Sequence, residues 1–78
     1  MEYTVDAVKL NEREEAHKYL AEVFSLPDYY GKNLDALYDC LSEMNIDKVI
    51  IKNQEMGEDY FYSVLDVIND LDIDIEAE

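Results

Sequence analysis

The chain begins with an alternation of apolar and polar positions. In residues 2–9 the side chains of Tyr3, Val5 and Ala7 fall on one face. A period of two is typical of a strand with one buried face, so the pattern predicts a first strand over residues 2–9.

After residue 9 the spacing of the apolar residues changes from that of a strand to that of a helix. Asn11, followed by Glu14 three residues later, has the spacing of a capping box and predicts the helix N-terminus. Pro27 is expected to end this helix. Its apolar stripe, with steps of three and four residues, consists of Ala16, Tyr19, Leu20, Val23 and Phe24.

A short loop and a second helix come next. Residues 28–32 are predicted to form the loop, in which Gly31 is available for a positive φ. Asn33 is the expected N-cap of the second helix. The inner face of this helix is predicted to carry Leu34, Leu37, Leu41 and Met44.

The second half of the chain contains two further strands around a third helix. The β-branched run in residues 48–52 predicts a strand that is covered more completely than its neighbours. Gly57 and Asp59 mark a turn and a helix cap, and residues 72–77 alternate strictly, as a strand does. The third helix is expected to bury Phe61, Val64, Leu65, Ile68 and Leu71.

This order of elements predicts a two-layer α/β fold. Helical crossovers return each strand in the same direction, which makes the sheet parallel. Right-handed crossovers place all helices on one side only when the strands follow the order 1-2-3. We therefore predict one domain over residues 1–78, a three-stranded parallel sheet with helices on one face.

Composition agrees with a small globular protein. The hydrophobic share of 49% argues against disorder, and no apolar run approaches the ~18 residues of a membrane span. The first residues lack the apolar core of a signal peptide, so we expect a cytoplasmic protein without membrane contact. The single cysteine, Cys40, suits a reducing compartment and is expected to be a small buried hydrophobe.

Charge narrows the possible partners. Twenty acidic and six basic residues give a net charge of −14, which repels phosphates and attracts cations. Direct binding to nucleic acid is therefore not expected, whereas a basic protein partner is favoured. Acidity that serves only solubility remains an open alternative.

Residues suited to catalysis or cofactor binding are scarce. His17 is the sole histidine and is expected at the surface or boundary of the first helix, without a serine or thiol at useful spacing. Two glycines cannot build a phosphate-binding loop. The acids of residues 70–76 lack the glycine and distal glutamate of an EF-hand and are expected to form the solvated face of a strand. We expect no enzymatic activity, no metal and no cofactor.

The second helix carries the most informative polar residues. Asp35 and Asp39, four positions apart, repel each other, and only Asp35 is near enough to the N-terminus to gain from the helix dipole. Tyr38 lies at the rim of the same helix, and Tyr29 and Tyr30 lie in the loop before it. Two interpretations stay open: a solvated acidic face, or a convex patch that anchors in a partner's basic cleft. A pair of glycosidase carboxylates needs a cleft that a helix surface does not offer.

Residues 26–44, LPDYYGKNLDALYDCLSEM, closely resemble the signature of the barstar family, intracellular inhibitors of a secreted bacterial ribonuclease. The family pattern runs Leu-Pro-acid-Tyr-Tyr-Gly-x-Asn-Leu-Asp-Ala-Leu-Trp-Asp-Cys, and Tyr38 replaces its tryptophan. The resemblance extends more weakly over the whole chain. It implies the predicted fold and a small basic, barnase-like ribonuclease as partner.

The resemblance also implies how the partner is bound. The second helix and its preceding loop would plug the ribonuclease active site. Asp39 would occupy the position of the substrate phosphate, Asp35 would pair with a further basic group, and Tyr29 would pack on the catalytic histidine. Asp70 matches a family glutamate that forms a peripheral salt bridge.

The complete set of residues expected to contact the partner is Tyr29, Tyr30, Asn33, Asp35, Tyr38, Asp39, Ser42, Glu43 and Asp70. Glu43 stands where the family surface has a glycine. The segment between the central strand and the last helix is expected to be too short for the small extra helix of the family. We expect a monomer before complex formation. The alternative function is a barstar-fold interaction module that binds a different basic protein, such as another toxin.

Overall fold

Three parallel strands form one sheet in the order β1-β2-β3, as predicted. The computed structural model describes residues 1–78. The strands are β1 (Glu2–Asp6), β2 (Lys48–Lys52) and β3 (Asp74–Ala77). The helices are α1 (Arg13–Val23), α2 (Leu34–Ser42) and α3 (Tyr60–Asp70). Two 3-10 turns, Ala7–Leu10 and Gln54–Met56, complete the regular structure.

The sheet register places most apolar strand residues on one face, whereas Ile50 lies on the other face between Thr4 and Glu76. Val49 of β2 lies opposite Tyr3 of β1 and Ile75 of β3, and Val5 lies opposite Ile51. Val5, Val49 and Ile51 are fully buried, in one core with the inner residues of the helices. The β-branched run therefore forms the central strand, because only a central strand has a partner on both sides.

The ends of the outer strands differ from the prediction. The first strand ends at Asp6 instead of residue 9, because the Asp6 carboxylate accepts a hydrogen bond from the Val8 N–H at 3.0 Å and starts a 3-10 turn. The last strand begins at Asp74 instead of residue 72. Asp72 has a φ of 57° and turns the chain out of α3 before the strand starts.

Both predicted boundaries of α1 are wrong. Asn11 does not cap the helix, since Glu12 occupies the N-cap position without a side-chain hydrogen bond. The helix ends at Val23, well before Pro27. Ser25 takes a left-handed φ of 52°, and the Leu26 N–H donates back to the Ala21 carbonyl at 2.9 Å. The C-terminus is thus closed by backbone hydrogen bonds of the Schellman type rather than by proline.

The loop before α2 and its cap are only partly as predicted. The side chain of Asn33 accepts a hydrogen bond from the Ala36 N–H at 2.8 Å, which confirms the cap. The positive φ, however, belongs to Lys32 (55°) and not to Gly31. The bend of the chain is thus made one residue later than expected, immediately before the cap.

The connection from β2 to α3 also departs from the prediction. Gln54–Met56 form a short 3-10 turn in the segment that we expect to be too short for the small extra helix of the family. Asp59 holds the N-cap position of α3, but its side chain makes no capping hydrogen bond. Gly57 is buried because the Phe61 ring occupies the place of a side chain: a Cβ there would lie 2.2 Å from Phe61 Cδ2.

None of the helices combines the length and the apolar character that crossing a membrane requires.

Candidate protein-binding site

One side of α2 is polar and exposed along the whole helix. Its residues, here called the acidic face, are Asp35, Asp39, Ser42 and Glu43. The opposite side packs into the core through Leu37 and Leu41, which are buried. Since consecutive helix positions are 100° apart, burying these two leucines turns the acidic face outward.

The carboxylates of the acidic face take part in no ion pair, although Arg13 lines the same shallow cavity as Asp35. The chain contains two ion pairs, Met1 N-terminus with Asp47 at 2.6 Å and Lys48 with Glu76 at 3.4 Å. Neither ion pair involves Asp35 or Asp39. These two carboxylates lie four positions apart on one side of the helix and repel each other. The acidic face is therefore an uncompensated negative surface that a cationic partner would neutralise.

Two exposed tyrosines flank this surface. Tyr29, in the loop before α2, is 84% exposed, and Tyr38 of α2 is 41% exposed. Tyr29 lies at a shallow cavity of about 250 Å³ whose other walls include Leu26, Cys40 and Met44. Cys40 is half-buried rather than enclosed in the core. Exposed aromatic side chains, a type enriched in protein interfaces, thus accompany the acidic face.

Tyr30 does not belong to this surface, contrary to the prediction. It is 7% exposed, and its hydroxyl oxygen lies 2.5 Å from Nδ1 of His17. Tyr29 lies in a turn that the Tyr30 N–H closes by donating to the Pro27 carbonyl at 2.9 Å; its side chain is exposed, whereas that of Tyr30 is buried. Burial raises the pKa of the Tyr30 hydroxyl, which keeps it protonated and able to take part in the hydrogen bond.

His17 is likewise buried, not on the surface or boundary of α1 as expected. It is 1% exposed, and its Nε2 lies 2.5 Å from the hydroxyl of Tyr60. Burial lowers the pKa of His17, and the nearby charge of Arg13 lowers it further. Burial also raises the pKa of Tyr60, an effect that Arg13 partly offsets. The sequence contained a signal for this burial, since His17 precedes Leu20 and Phe24 by three and seven residues.

Asn33 and Ser42 use their side chains at the two ends of α2. Asn33 caps the N-terminus and also donates through Nδ2 to the Gly31 carbonyl at 3.3 Å. The Ser42 hydroxyl donates to the Asp39 carbonyl at 2.7 Å. Both residues remain exposed at the edges of the acidic face, where they stabilise the helix that carries it.

Asp70 lies apart from α2, as the last residue of α3. Because β2 and β3 are parallel, the ends of α2 and α3 that precede them lie at the same end of the sheet. Asp70 is exposed and lies toward the same end of the sheet as Ser42 and Glu43, the end opposite the start of α2.

The acids of residues 70–76 do not share one strand face, which corrects the prediction. Asp70 is in α3, Asp72 is in the turn, and only Asp74 and Glu76 are in β3. Glu76 is paired with Lys48. No group of three or more histidine, cysteine or acidic side chains is placed to hold a metal ion.

Two comparisons with known proteins agree on the family. The family model described as "Barstar (barnase inhibitor)" matches residues 1–78. A protein of Bacillus subtilis (strain 168) named "Putative ribonuclease inhibitor YrdF" is 33% identical over 81 residues, which cover 95% of this chain and 88% of that protein. The match spans the sheet and the helices as well as the motif around α2. The chain belongs to the barstar family.

Proposed function

We propose that this chain inhibits a small basic ribonuclease by inserting the acidic face of α2, together with Tyr29, into the active site of the enzyme. Membership of an inhibitor family and the name of the Bacillus subtilis relative support the general role. The observation that carries the mechanism is the exposure of Asp35 and Asp39, neither of which is in an ion pair.

The physical basis is mimicry of a phosphate. The active site of a ribonuclease contains cationic side chains that bind the phosphate of RNA. A carboxylate on a rigid helix satisfies these cations through short, charge-assisted hydrogen bonds. Asp39 is the residue we assign to the phosphate position, because it is exposed near the middle of α2, between Asp35 and Glu43 on the acidic face.

The neighbouring residues have supporting roles in this proposal. Asp35, one turn before Asp39, pairs with a second basic group of the enzyme. Tyr29, the most exposed large side chain of the loop, packs on the catalytic histidine. Tyr38, Ser42 and Glu43 contact the rim of the active site.

The test is an inhibition assay with barnase and other small basic ribonucleases. The Asp39→Ala variant should raise the inhibition constant at least ~30-fold, because the enzyme's buried cations lose their counter-charge. Its free energy of unfolding should stay the same or rise by a few tenths of a kcal/mol, since repulsion from Asp35 is removed. Asp66→Ala is the matched control: it also removes an exposed helical carboxylate, from the middle of α3, and should leave inhibition nearly unchanged.

Two outcomes would count against the proposal. A folded Asp39→Ala variant that inhibits as well as the wild type would exclude Asp39 as the central contact. A wild-type chain that leaves every tested ribonuclease active would favour the other candidate function, binding to a different basic protein.

A further inference from the structure

The loop of residues 28–32, which carries Tyr29, has one buried side chain, that of Tyr30. On either side of the loop, Leu26 and Leu34 are partly buried against the core. The backbone adds one local turn, in which the Tyr30 N–H donates to the Pro27 carbonyl at 2.9 Å. The position of this loop therefore depends on what holds Tyr30.

Tyr30 is held by a chain of two hydrogen bonds that joins three parts of the fold. Its hydroxyl contacts Nδ1 of His17 in α1, and Nε2 of His17 contacts the hydroxyl of Tyr60 in α3, each at 2.5 Å. No buried side-chain nitrogen or oxygen is left without a partner. A neutral imidazole has one donor and one acceptor nitrogen, so one tyrosine hydroxyl donates to the ring and the other accepts from it.

This chain has a consequence for the exposed neighbour. With Tyr30 fixed toward the core, Tyr29 projects outward and is 84% exposed beside the acidic face. A contact side chain that is already directed at its partner avoids the entropic cost of being ordered during binding. Tyr60 lines a shallow surface cavity together with Leu34 and Asp35 at the start of α2, and its hydroxyl completes the hydrogen bonding of His17.

We infer that His17 and Tyr60 are positioning residues of the inhibitor: through Tyr30 they hold the loop so that Tyr29 is oriented for the ribonuclease before the two proteins meet. This inference rests on the proposed function for its effect on inhibition. Its structural half, the ordering of residues 28–32, is a property of the free protein and is testable without any ribonuclease.

The experiment removes one hydroxyl at a time. Tyr60→Phe keeps the ring but breaks the hydrogen bond to His17. Tyr62→Phe is the matched control, because Tyr62 lies on the same helix, is 55% exposed and has no side-chain hydrogen bond. Tyr60→Phe should speed amide hydrogen exchange of residues 28–32 in the free protein and raise the inhibition constant about two- to tenfold. Tyr62→Phe should do neither.

A double-mutant cycle separates positioning from general loss of stability. If Tyr60 acts through Tyr29, then Tyr60→Phe should have little effect on the inhibition constant once Tyr29 is alanine. If Tyr60→Phe does not fold, Tyr30→Phe removes the other hydroxyl and is used in the same cycle.

Other results would overturn either this inference or the proposed Tyr29 contact. Unchanged hydrogen exchange in the loop, or an equal effect of Tyr60→Phe with and without Tyr29, overturns the inference. If Tyr29→Ala alone leaves inhibition intact, the Tyr29 contact of the proposed function is wrong, and hydrogen exchange in the free protein then decides whether His17 and Tyr60 position the loop.

Discussion

The side chain of Asn11 accepts a hydrogen bond from the backbone N–H of Glu58 at 2.6 Å. Its amide nitrogen also donates to the carbonyl of Met56 at 3.1 Å. Asn11 thereby ties the chain before α1 to the turn before α3, two segments that are remote in sequence. A residue that looks like a local helix cap is in fact a tertiary link.

This link predicts a stability effect. Asn11→Ala removes both hydrogen bonds and should lower the free energy of unfolding by about 1–3 kcal/mol. Asn11→Asp keeps the acceptor for Glu58 but loses the donor for Met56, so its loss should be intermediate. Asn45→Ala, at an exposed asparagine without a side-chain hydrogen bond, is the control. Urea denaturation measures all three, and equal stability of Asn11→Ala and Asn45→Ala would contradict the expectation.

The two glycines should respond differently to substitution. At Gly57 an alanine Cβ would lie 2.2 Å from the buried ring of Phe61, so Gly57→Ala should cost about 1–3 kcal/mol of stability through overpacking. At Gly31 the nearest atom, the Cβ of Ala36, would lie at 3.3 Å, and Gly31→Ala should cost much less. Thermal denaturation compares the two variants. A larger loss of stability for Gly31→Ala than for Gly57→Ala would show that the Phe61 ring moves aside easily.

The buried histidine makes stability depend on pH. The pKa of His17 is lowered from its usual 6.5 in the folded chain, so the unfolded chain binds the proton more readily. The stability that His17 contributes is complete above pH 6.5 and is lost as pH falls toward the folded pKa, by at most ~1.4 kcal/mol per pH unit. Arg13 on α1 reinforces the shift, and Tyr30 and Tyr60 face the ring from the loop and from α3.

His17→Gln isolates this contribution, because it leaves every other titratable group of the chain in place. The stability difference between wild type and His17→Gln should shrink when urea denaturation is repeated at pH 5.5 instead of 7.5. A difference that stays constant over this range would mean that the ring is protonated equally in the folded and unfolded chains.

Asp70 should matter less than Asp39 for binding. It lies at the end of α3, separate from the acidic face, and in the proposed complex it reaches only the periphery of the enzyme. Asp70→Ala should weaken inhibition by less than ~5-fold, the range of exposed ion pairs, and should act mainly on the association rate. Surface plasmon resonance gives both rate constants. Equal losses for Asp70→Ala and Asp39→Ala would place the centre of the interface elsewhere.

Salt distinguishes electrostatic steering from acidity that only aids solubility. The net charge of −14 attracts a basic ribonuclease over a distance that shrinks from ~10 Å at 0.1 M salt to ~3 Å at 1 M. Association should slow by an order of magnitude or more across this range, whereas dissociation should change far less. Stopped-flow kinetics measures both.

Charge removal far from the interface is the control for steering. Neutralising Asp74 and Glu76 on β3 should flatten the salt dependence of association slightly and leave dissociation unchanged. An association rate indifferent to salt would mean that the acidity of the chain serves solubility alone.

Much of the architecture follows from local patterns in the sequence. The run Val49-Ile50-Ile51 identified the central strand, and Asn33 identified the start of α2. The order of the strands followed from the handedness of crossovers. The sequence also placed Asp35 and Asp39 on one face of α2, because a helix repeats every 3.6 residues whatever it packs against.

The tertiary structure decided which side chains are available to a partner. Tyr29 and Tyr30 are adjacent and chemically identical, yet one is exposed and the other is bound to His17, 13 residues away. Tyr60, which completes that network, is 43 residues from His17. Asn11 has the spacing of a cap but bonds to Glu58, because the packing of the two segments offers it a better-placed donor. Periodicity describes neighbours along one element, whereas these polar contacts form only when separate elements pack together, and no local pattern encodes them.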